Sequence, residues 1–205
     1  EFPKLVVVAK EALELDPKNA PAKLGLSEAY ARKGDDVLDK TGTPETAMFF
    51  YEESVKANPS NAAGHSGLAE VLDTIGNKDR ALASYEKALA LDPALTELYS
   101  PLGIIYYQKG DLAKAENYLT KAHSLDPNDG ETQYYYGMIL AKQDRNDEAM
   151  AAFRTVIAKD PNSAEAHLAL GEAYDRIDRD RDAIAEYREA IRLNPRYPEA
   201  YYNLG

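Results

Sequence analysis

The sequence predicts an all-α fold, a right-handed superhelical solenoid built from antiparallel helix pairs. The first observation is a period, because prolines recur at intervals of 42, 34, 34, 34 and 34 residues, at Pro17, Pro59, Pro93, Pro127, Pro161 and Pro195. The second is an alanine at one fixed place in every complete period. The third is the pairing of small and large residues at helical spacing. Such a period is typical of stacked helical hairpins, each of which buries its apolar face against its neighbours.

The fixed columns of the repeat become visible when each period is numbered from the third residue after its proline. Position 20 is always alanine: Ala47, Ala81, Ala115, Ala149 and Ala183. Position 24 is large: Tyr51, Tyr85, Leu119, Phe153 and Tyr187. Position 11 is also large: Tyr30, Leu72, Tyr106, Leu140 and Tyr174. Position 8 is small: Ser27, Ala69, Gly103, Gly137 and Gly171. These columns predict two amphipathic helices per repeat, helix A and helix B, that approach closely at position 8.

The columns also predict the domain organisation, a single solenoid over residues 1–205. A lone helix B at 1–19 precedes complete repeats at 20–61, 62–95, 96–129, 130–163 and 164–197, and a partial helix A follows at 198–205. Apolar residues of both end helices lack a partner helix in this arrangement. We therefore expect a piece of a longer array, or ends that another chain covers.

Local signals predict where the helices begin and end. Gly34, Gly76 and Gly110 at position 15 are expected to end helix A in the left-handed conformation, with Asp144 and Asp178 in their place in the last two repeats. The prolines end helix B. The pairs Ser60-Asn61, Asn128-Asp129 and Asn162-Ser163 offer side-chain oxygens that cap the next helix A.

Two segments depart from the regular repeat. The first repeat carries eight extra residues within 35–46, where Thr43-Pro44-Glu45 has the pattern of a helix start. We expect both helices to lengthen or a loop to bulge, and the alternative is a contact loop particular to this protein. In the third repeat Pro101 stands inside helix A, which favours a late helix start over a kink.

With its Leu-Gly, Tyr, Ala and aromatic columns and its 34-residue period, the whole chain resembles the tetratricopeptide repeat family. Helix A positions 2, 5, 9 and 12 form a stripe that the packing columns leave free. The resemblance implies that this stripe lines a concave groove for a protein or peptide partner. It implies no cofactor.

The stripe predicts the binding residues. An apolar centre is formed by Ile104, Tyr107, Tyr134 and Met138. Acids flank it on both sides: Glu28, Glu70, Asp73, Glu172 and Asp175. This pattern favours a peptide or helix with an apolar anchor and basic flanks. The alternative is that the acids only maintain solubility and the centre packs internally. The glutamates at position 2, among them Glu131 and Glu165, are explained by the helix dipole.

Two defined activities of the family are not expected. The clamp for acidic chaperone tails needs basic residues and asparagines, whereas the clamp positions counted from the second repeat hold Ser66, Glu70, Pro101, Glu131 and Tyr135. The asparagine ladder of the sugar-transferring members is also absent. Position 6 holds no asparagine in the five complete repeats: its residues are Gly25, Gly67, Pro101, Tyr135 and Ala169.

Nothing in the sequence predicts an enzyme, a metal site or a cofactor. There is no glycine-rich phosphate loop and no cysteine. His65, His123 and His167 do not cluster, and the first and last of them share position 4, where a large half-buried helix A residue is expected. The 15 tyrosines are expected to be mainly core residues.

Composition limits the partners further. A net charge of −11 repels nucleic acid and anionic lipid surfaces, and no apolar run is long enough to cross a bilayer. We expect a soluble protein, in the cytoplasm in preference to the bacterial periplasm.

We therefore expect a protein–protein interaction scaffold. The alternatives are a regulatory or docking segment of a larger enzyme or of a secretion or assembly complex, and self-association through the open ends.

Overall fold

The computed structural model describes residues 2–205, and this part of the chain is all-α, without a β-strand. Its helices are α1 Phe2–Leu15, α2 Ala20–Thr41, α3 Pro44–Ala57, α4 Ala62–Thr74, α5 Lys78–Leu91, α6 Tyr99–Gln108, α7 Leu112–Leu125, α8 Gly130–Lys142, α9 Asn146–Lys159, α10 Ala164–Asp175, α11 Asp180–Leu193 and α12 Pro198–Leu204. A 3-10 helix at Thr96–Leu98 precedes α6.

The helices form two compact units, of which the first ends at Leu98 and the second begins at Tyr99. In the first unit α2 packs against α3 and α4 against α5. In the second unit the pairs are α6 with α7, α8 with α9, and α10 with α11. Within each unit helix A also lies beside the next helix A, as α2 does beside α4 and α8 beside α10.

Glycine at position 8 lets helix B side chains press against the helix A backbone in the second unit. A Cβ added at Gly137 would lie 2.7 Å from the ring of Phe153, and one at Gly171 would lie 2.5 Å from the ring of Tyr187. Both rings are buried. The predicted close approach at position 8 is therefore confirmed, because only a residue without a side chain fits there.

A buried hydrogen-bond network takes the place of this contact in the first repeat. The Ser27 hydroxyl donates to the Ser54 carbonyl at 2.8 Å, and the Ser54 hydroxyl donates to the Ser27 carbonyl at 2.8 Å. The Asn61 side-chain amide adds a bond to the Ser27 hydroxyl at 2.8 Å. Both serines are fully buried, so these bonds satisfy polar groups that would otherwise be costly.

The extra residues of the first repeat lie entirely in helix A, so the expectation that both helices lengthen is wrong. Helix α2 has 22 residues, whereas α3 has the same 14 residues as α5. Gly34 does not end α2, because it lies inside the helix, with the Tyr51 ring against its backbone. The helix continues to Gly42, whose φ of +59° gives the left-handed ending.

Charge pairs support the added turns of α2. Asp36 binds Lys40 one turn later and lies 2.9 Å from the Lys33 ammonium. These two lysines hold the pKa of the Asp36 carboxyl below its usual value. Gly42 is the first glycine of this repeat in the left-handed conformation, and α2 ends there.

The other predicted helix ends are confirmed. Gly76 and Gly110 have φ values of +81° and +80°. Asp144 and Asp178 take the same left-handed conformation, with φ of 58° and 56°, which short polar side chains tolerate best. The expected caps are present as well, because Asn61, Asp129 and Ser163 accept hydrogen bonds from backbone N–H groups three residues later.

The late start at Pro101 is also confirmed. The α-helix begins only at Tyr99, so that Pro101 is its third residue. Its missing N–H therefore falls in the first turn, where backbone donors have no partner inside the helix.

The Gly137–Phe153 contact predicts different effects for two glycine substitutions in the same helix. For Gly137→Ala the gain in helix propensity is smaller than the cost of overpacking a buried ring, so we expect a net loss of about 1–2 kcal/mol of unfolding free energy. For Gly130→Ala no atom lies within 4 Å of the added Cβ. We therefore expect the unfolding free energy to stay the same or to rise. Urea unfolding followed by circular dichroism measures both. Equal effects of the two changes would contradict this explanation of the packing.

Candidate functional site

The acids predicted on helix A of the first unit are mostly paired within the chain. Glu28 Oε2 lies 3.8 Å from Arg32 Nη2, and Asp73 binds Lys78. The Glu70 carboxylate is exposed and makes no hydrogen bond or ion pair with the described residues. Of the three, only Glu70 therefore presents an uncompensated charge.

The apolar centre lies on α6 and α8 of the second unit. Tyr107, Tyr134 and Met138 are half-buried and present part of their surface to solvent. Ile104 is only 7% exposed, because it packs into the interior of the unit. The expectation of an exposed apolar residue therefore fails at Ile104.

A tyrosine that the stripe does not contain joins this surface. The ring of Tyr135 makes edge contacts with Tyr107 and with Tyr134, each with a centroid distance of 5.4 Å. Tyr135 also accepts a hydrogen bond from the Gln108 side-chain amide at 3.3 Å. We call Tyr107, Tyr134, Tyr135 and Met138 the tyrosine face. The sequence contains a signal for Tyr135, since position 6 adjoins positions 5 and 9 on a helix.

The hydroxyls of Tyr107 and Tyr134 are neutral at physiological pH. Burial raises the pKa of Tyr134, and the neighbouring Tyr197 and Tyr107 raise it further. Burial also raises the pKa of Tyr107, with added contributions from Tyr135 and Glu172. These groups keep their protons and can donate hydrogen bonds.

The two acids of α10 differ in their contacts, and Glu172 is the one whose charge acts on Tyr107 of the tyrosine face. Glu172 accepts a hydrogen bond from the Asn203 side-chain amide at 3.1 Å. The Asp175 carboxylate is exposed and has no hydrogen bond or ion pair among the described residues. The neighbouring Arg176 is engaged, because it donates to the Ala141 carbonyl at 3.0 Å. The acids thus remain available to a positively charged ligand.

A pocket of about 510 Å³ adjoins this surface, and we call it the Tyr134 pocket. It lies between α8, the end of α9 and the start of α10. Its lining residues are Gly130, Glu131, Tyr134, Val156, Lys159, Asp160, Ser163 and Glu165. The pocket combines an aromatic wall with three carboxylates and one ammonium group. Glu131 and Glu165 therefore line the candidate site, in addition to their favourable interaction with the dipoles of their own helices.

The histidines have structural roles. The His65 ring nitrogen Nε2 lies 3.1 Å from the Pro59 carbonyl oxygen, and His167 Nε2 lies 3.3 Å from that of Pro161. Gln133, at the same position, donates to the Pro127 carbonyl. Position 4 thus ties helix A to the preceding turn in these three repeats.

The remaining histidine is held by neighbouring side chains. His123 stacks on Tyr136 with a centroid distance of 4.5 Å and is bonded to Gln133. Within residues 2–205 no group of three or more acidic or histidine side chains is arranged to hold a metal ion. In the same part of the chain no helix has the length and apolar character needed to cross a membrane.

The tyrosines divide into two classes, so the expectation that they are mainly core residues is wrong. Six of the 15 are buried, all of them at positions 11 and 24: Tyr30, Tyr51, Tyr85, Tyr106, Tyr174 and Tyr187. The others are half-buried or exposed. The packing columns therefore predict burial correctly, and the remaining tyrosines supply surface.

Family comparison agrees with the repeat that these columns describe. Models described as tetratricopeptide repeat match residues 106–172 and 27–61, and one described as TPR repeat matches 75–110 and 179–205. The chain belongs to the tetratricopeptide repeat family. A search of curated protein sequences gives no significant match.

Solved structures of tetratricopeptide repeat (TPR) proteins share the fold. YrrB, described as a TPR protein with an unusual peptide-binding site, is 25% identical, with a TM-score of 0.71 over 95% of this chain and 96% of that one. MamA is 24% identical, with a TM-score of 0.67 over 88% of this chain and 97% of that one. The fold is an all-α helical solenoid, and its family supports a protein–protein interaction scaffold.

The structural role of position 4 predicts a graded response to substitution at His167. This side chain is buried, and its Nδ1 lies 2.6 Å from Glu186 Oε2. We expect His167→Ala to lower the unfolding free energy by about 1–3 kcal/mol, because buried partners lose their bonds. His167→Gln should lose less, since Gln133 makes the equivalent bond to its own turn. Thermal unfolding measures the stability of both variants. An equal loss of unfolding free energy in His167→Ala and His167→Gln would argue against a bond from position 4 to the preceding turn.

Proposed function

We propose that this TPR chain binds a peptide or helix of a partner protein along the helix A surface of its second unit. The observation that carries the proposal is the tyrosine face, with the Glu172 charge acting on Tyr107 and the unpaired Asp175 further along the same helix, α10. The peptide-binding site described for YrrB supports the same use of the fold here. The proposed activity is binding and includes no catalytic step.

The chemistry of the surface favours an apolar anchor in the partner. Tyr107 and Met138 offer partly exposed apolar area, and aromatic side chains of this kind are common at binding hot spots. The neutral hydroxyl groups can donate to backbone carbonyls of an extended or helical segment. Ile104 supports this surface from within the unit.

Basic residues in the partner would complement the acids. Glu172 and Asp175 lie on α10, which packs beside α8. The Tyr134 pocket offers Glu131 and Glu165 around an aromatic ring, an arrangement suited to a lysine or arginine side chain. We assign Glu70 the same role in the first unit, and Glu28 and Asp73 a smaller role because Arg32 and Lys78 already compensate them.

Self-association is a second candidate that one observation favours. Large apolar side chains are exposed on both end helices, among them Val8 at 64% on α1 and Tyr202 at 87% on α12. Sedimentation velocity at increasing concentration tests it. A role as a docking segment of a larger enzyme or assembly is compatible with the same surface.

The groove proposal predicts a charge-dependent interaction with a synthetic probe. We choose a fluorescein-labelled peptide with a central phenylalanine and lysines on either side, measured by fluorescence anisotropy. The wild-type chain should bind it, and Glu172→Lys with Asp175→Lys should raise Kd about three- to tenfold, because the acids set complementarity and association rate.

A matched variant controls for net charge. Glu11→Lys with Glu14→Lys changes exposed residues of α1 and alters the total charge equally. We expect this variant to bind like the wild type. Equal weakening by both pairs, or no binding of the peptide to the wild type, would contradict the groove proposal.

A further inference from the structure

A cleft of about 470 Å³ in the first unit differs in charge from every surface described above. Side chains of α1 and α3 and the turns after them form its sides, and α2 lies between them. Its lining residues are Lys10, Leu13, Pro17, Lys23, Leu26, Tyr30, Glu53, Lys56, Ala57, Asn58 and Pro59. Three lysines and a single acid surround it, in a chain whose net charge is −11. We call it the lysine cleft.

Two of the three ammonium groups have no partner among the described residues. Lys56 Nζ lies 2.9 Å from Glu53 Oε1, and this hydrogen bond raises the pKa of Lys56. The side chains of Lys10 and Lys23 are exposed and form no hydrogen bond or ion pair within residues 2–205. The cleft therefore carries two uncompensated positive charges from two different helices, α1 and α2.

The electrostatics of helix α2 do not explain why a lysine stands at residue 23. It stands at the start of α2, a helix with no acid in its first turn, where a positive charge opposes the helix dipole. At the equivalent position of other repeats, His65, Gln133 and His167 bind the carbonyl of the preceding proline turn. Lys23 makes no such bond to Pro17. The Lys23 ammonium group therefore stabilises neither the start of α2 nor the preceding turn.

The interior of the cleft is apolar. Leu26 and Tyr30 of α2 are each 6% exposed and form the floor, with Leu13 and Ala57 beside them. A small inorganic anion would use the lysines and leave this floor in contact with water. A ligand that fits both features carries an apolar side chain next to negative charge.

We propose that the lysine cleft binds an acidic peptide segment of a partner protein, with an aliphatic or aromatic anchor on the Leu26–Tyr30 floor and carboxylates at Lys10 and Lys23. The acidity of the chain as a whole does not prevent this. At physiological ionic strength charges are screened beyond about 8 Å, so the nearby lysines determine the interaction. The cleft thus selects a segment opposite in charge to the one proposed for the tyrosine face.

A labelled peptide with a central leucine–phenylalanine pair and aspartates on either side tests the proposal by fluorescence anisotropy. We expect the wild-type chain to bind it and the affinity to fall with added salt. Lys10→Glu with Lys23→Glu should raise Kd at least about tenfold, because both contacts become repulsive. The milder pair Lys10→Gln with Lys23→Gln should raise it less, and circular dichroism verifies that each variant is folded.

The matched control is Lys4→Glu with Lys87→Glu, which changes two exposed lysines outside the cleft and gives the same net charge. We expect it to bind like the wild type, and equal weakening by both pairs would overturn the site. Three further outcomes would also overturn it: no binding of the aspartate peptide, full competition by inorganic phosphate, or a dimer that the cleft variant dissociates. Because the lysine-flanked peptide probes the tyrosine face separately, failure of one proposal leaves the other testable.

Discussion

The close contact between a large helix B side chain and a small residue of helix A is the constraint on which the rest of the structure depends. At Gly137 and at Gly171 the helix B rings of Phe153 and Tyr187 lie directly against the backbone of helix A. The contact fixes which side of helix A faces its own partner helix. Positions 8 and 11 become interior, and the stripe of positions 5, 9 and 12 is left to neighbouring helices and to solvent. The candidate binding surface is thus a consequence of the packing.

The sequence predicts most of the fold because its signals are local. A left-handed residue ends a helix at Gly76 or Asp144 whatever surrounds it, and Asn61 caps a helix through its own backbone neighbours. The length of α2 is not predicted, because Gly34 is compatible both with a helix end and with a helix interior. In the structure Gly34 lies inside the helix, and the Tyr51 ring of α3 packs against it, a contact that the local sequence does not reveal.

The candidate sites are less predictable from the sequence, because they depend on how much of each side chain extends beyond the packed interior to the surface. Ile104 and Tyr107 lie on the same predicted stripe, yet the first is buried and the second is half-exposed. The lysine cleft has no sequence periodicity, since Lys10, Lys23 and Lys56 occupy unrelated repeat positions on three helices. The two proposed surfaces have opposite charge, so charge complementarity would distinguish their partners.

Backbone hydrogen–deuterium exchange, with and without a saturating amount of the lysine-flanked peptide, tests the central claim most directly. A ligand bound along the helix A surface stabilises the helices that it contacts and slows their local opening. We predict slower exchange in α6, α8 and α10, with α7 and α11 unchanged. Protection confined to α7 and α11, or no change in any helix under saturation, would contradict the assignment of the tyrosine face as the binding surface.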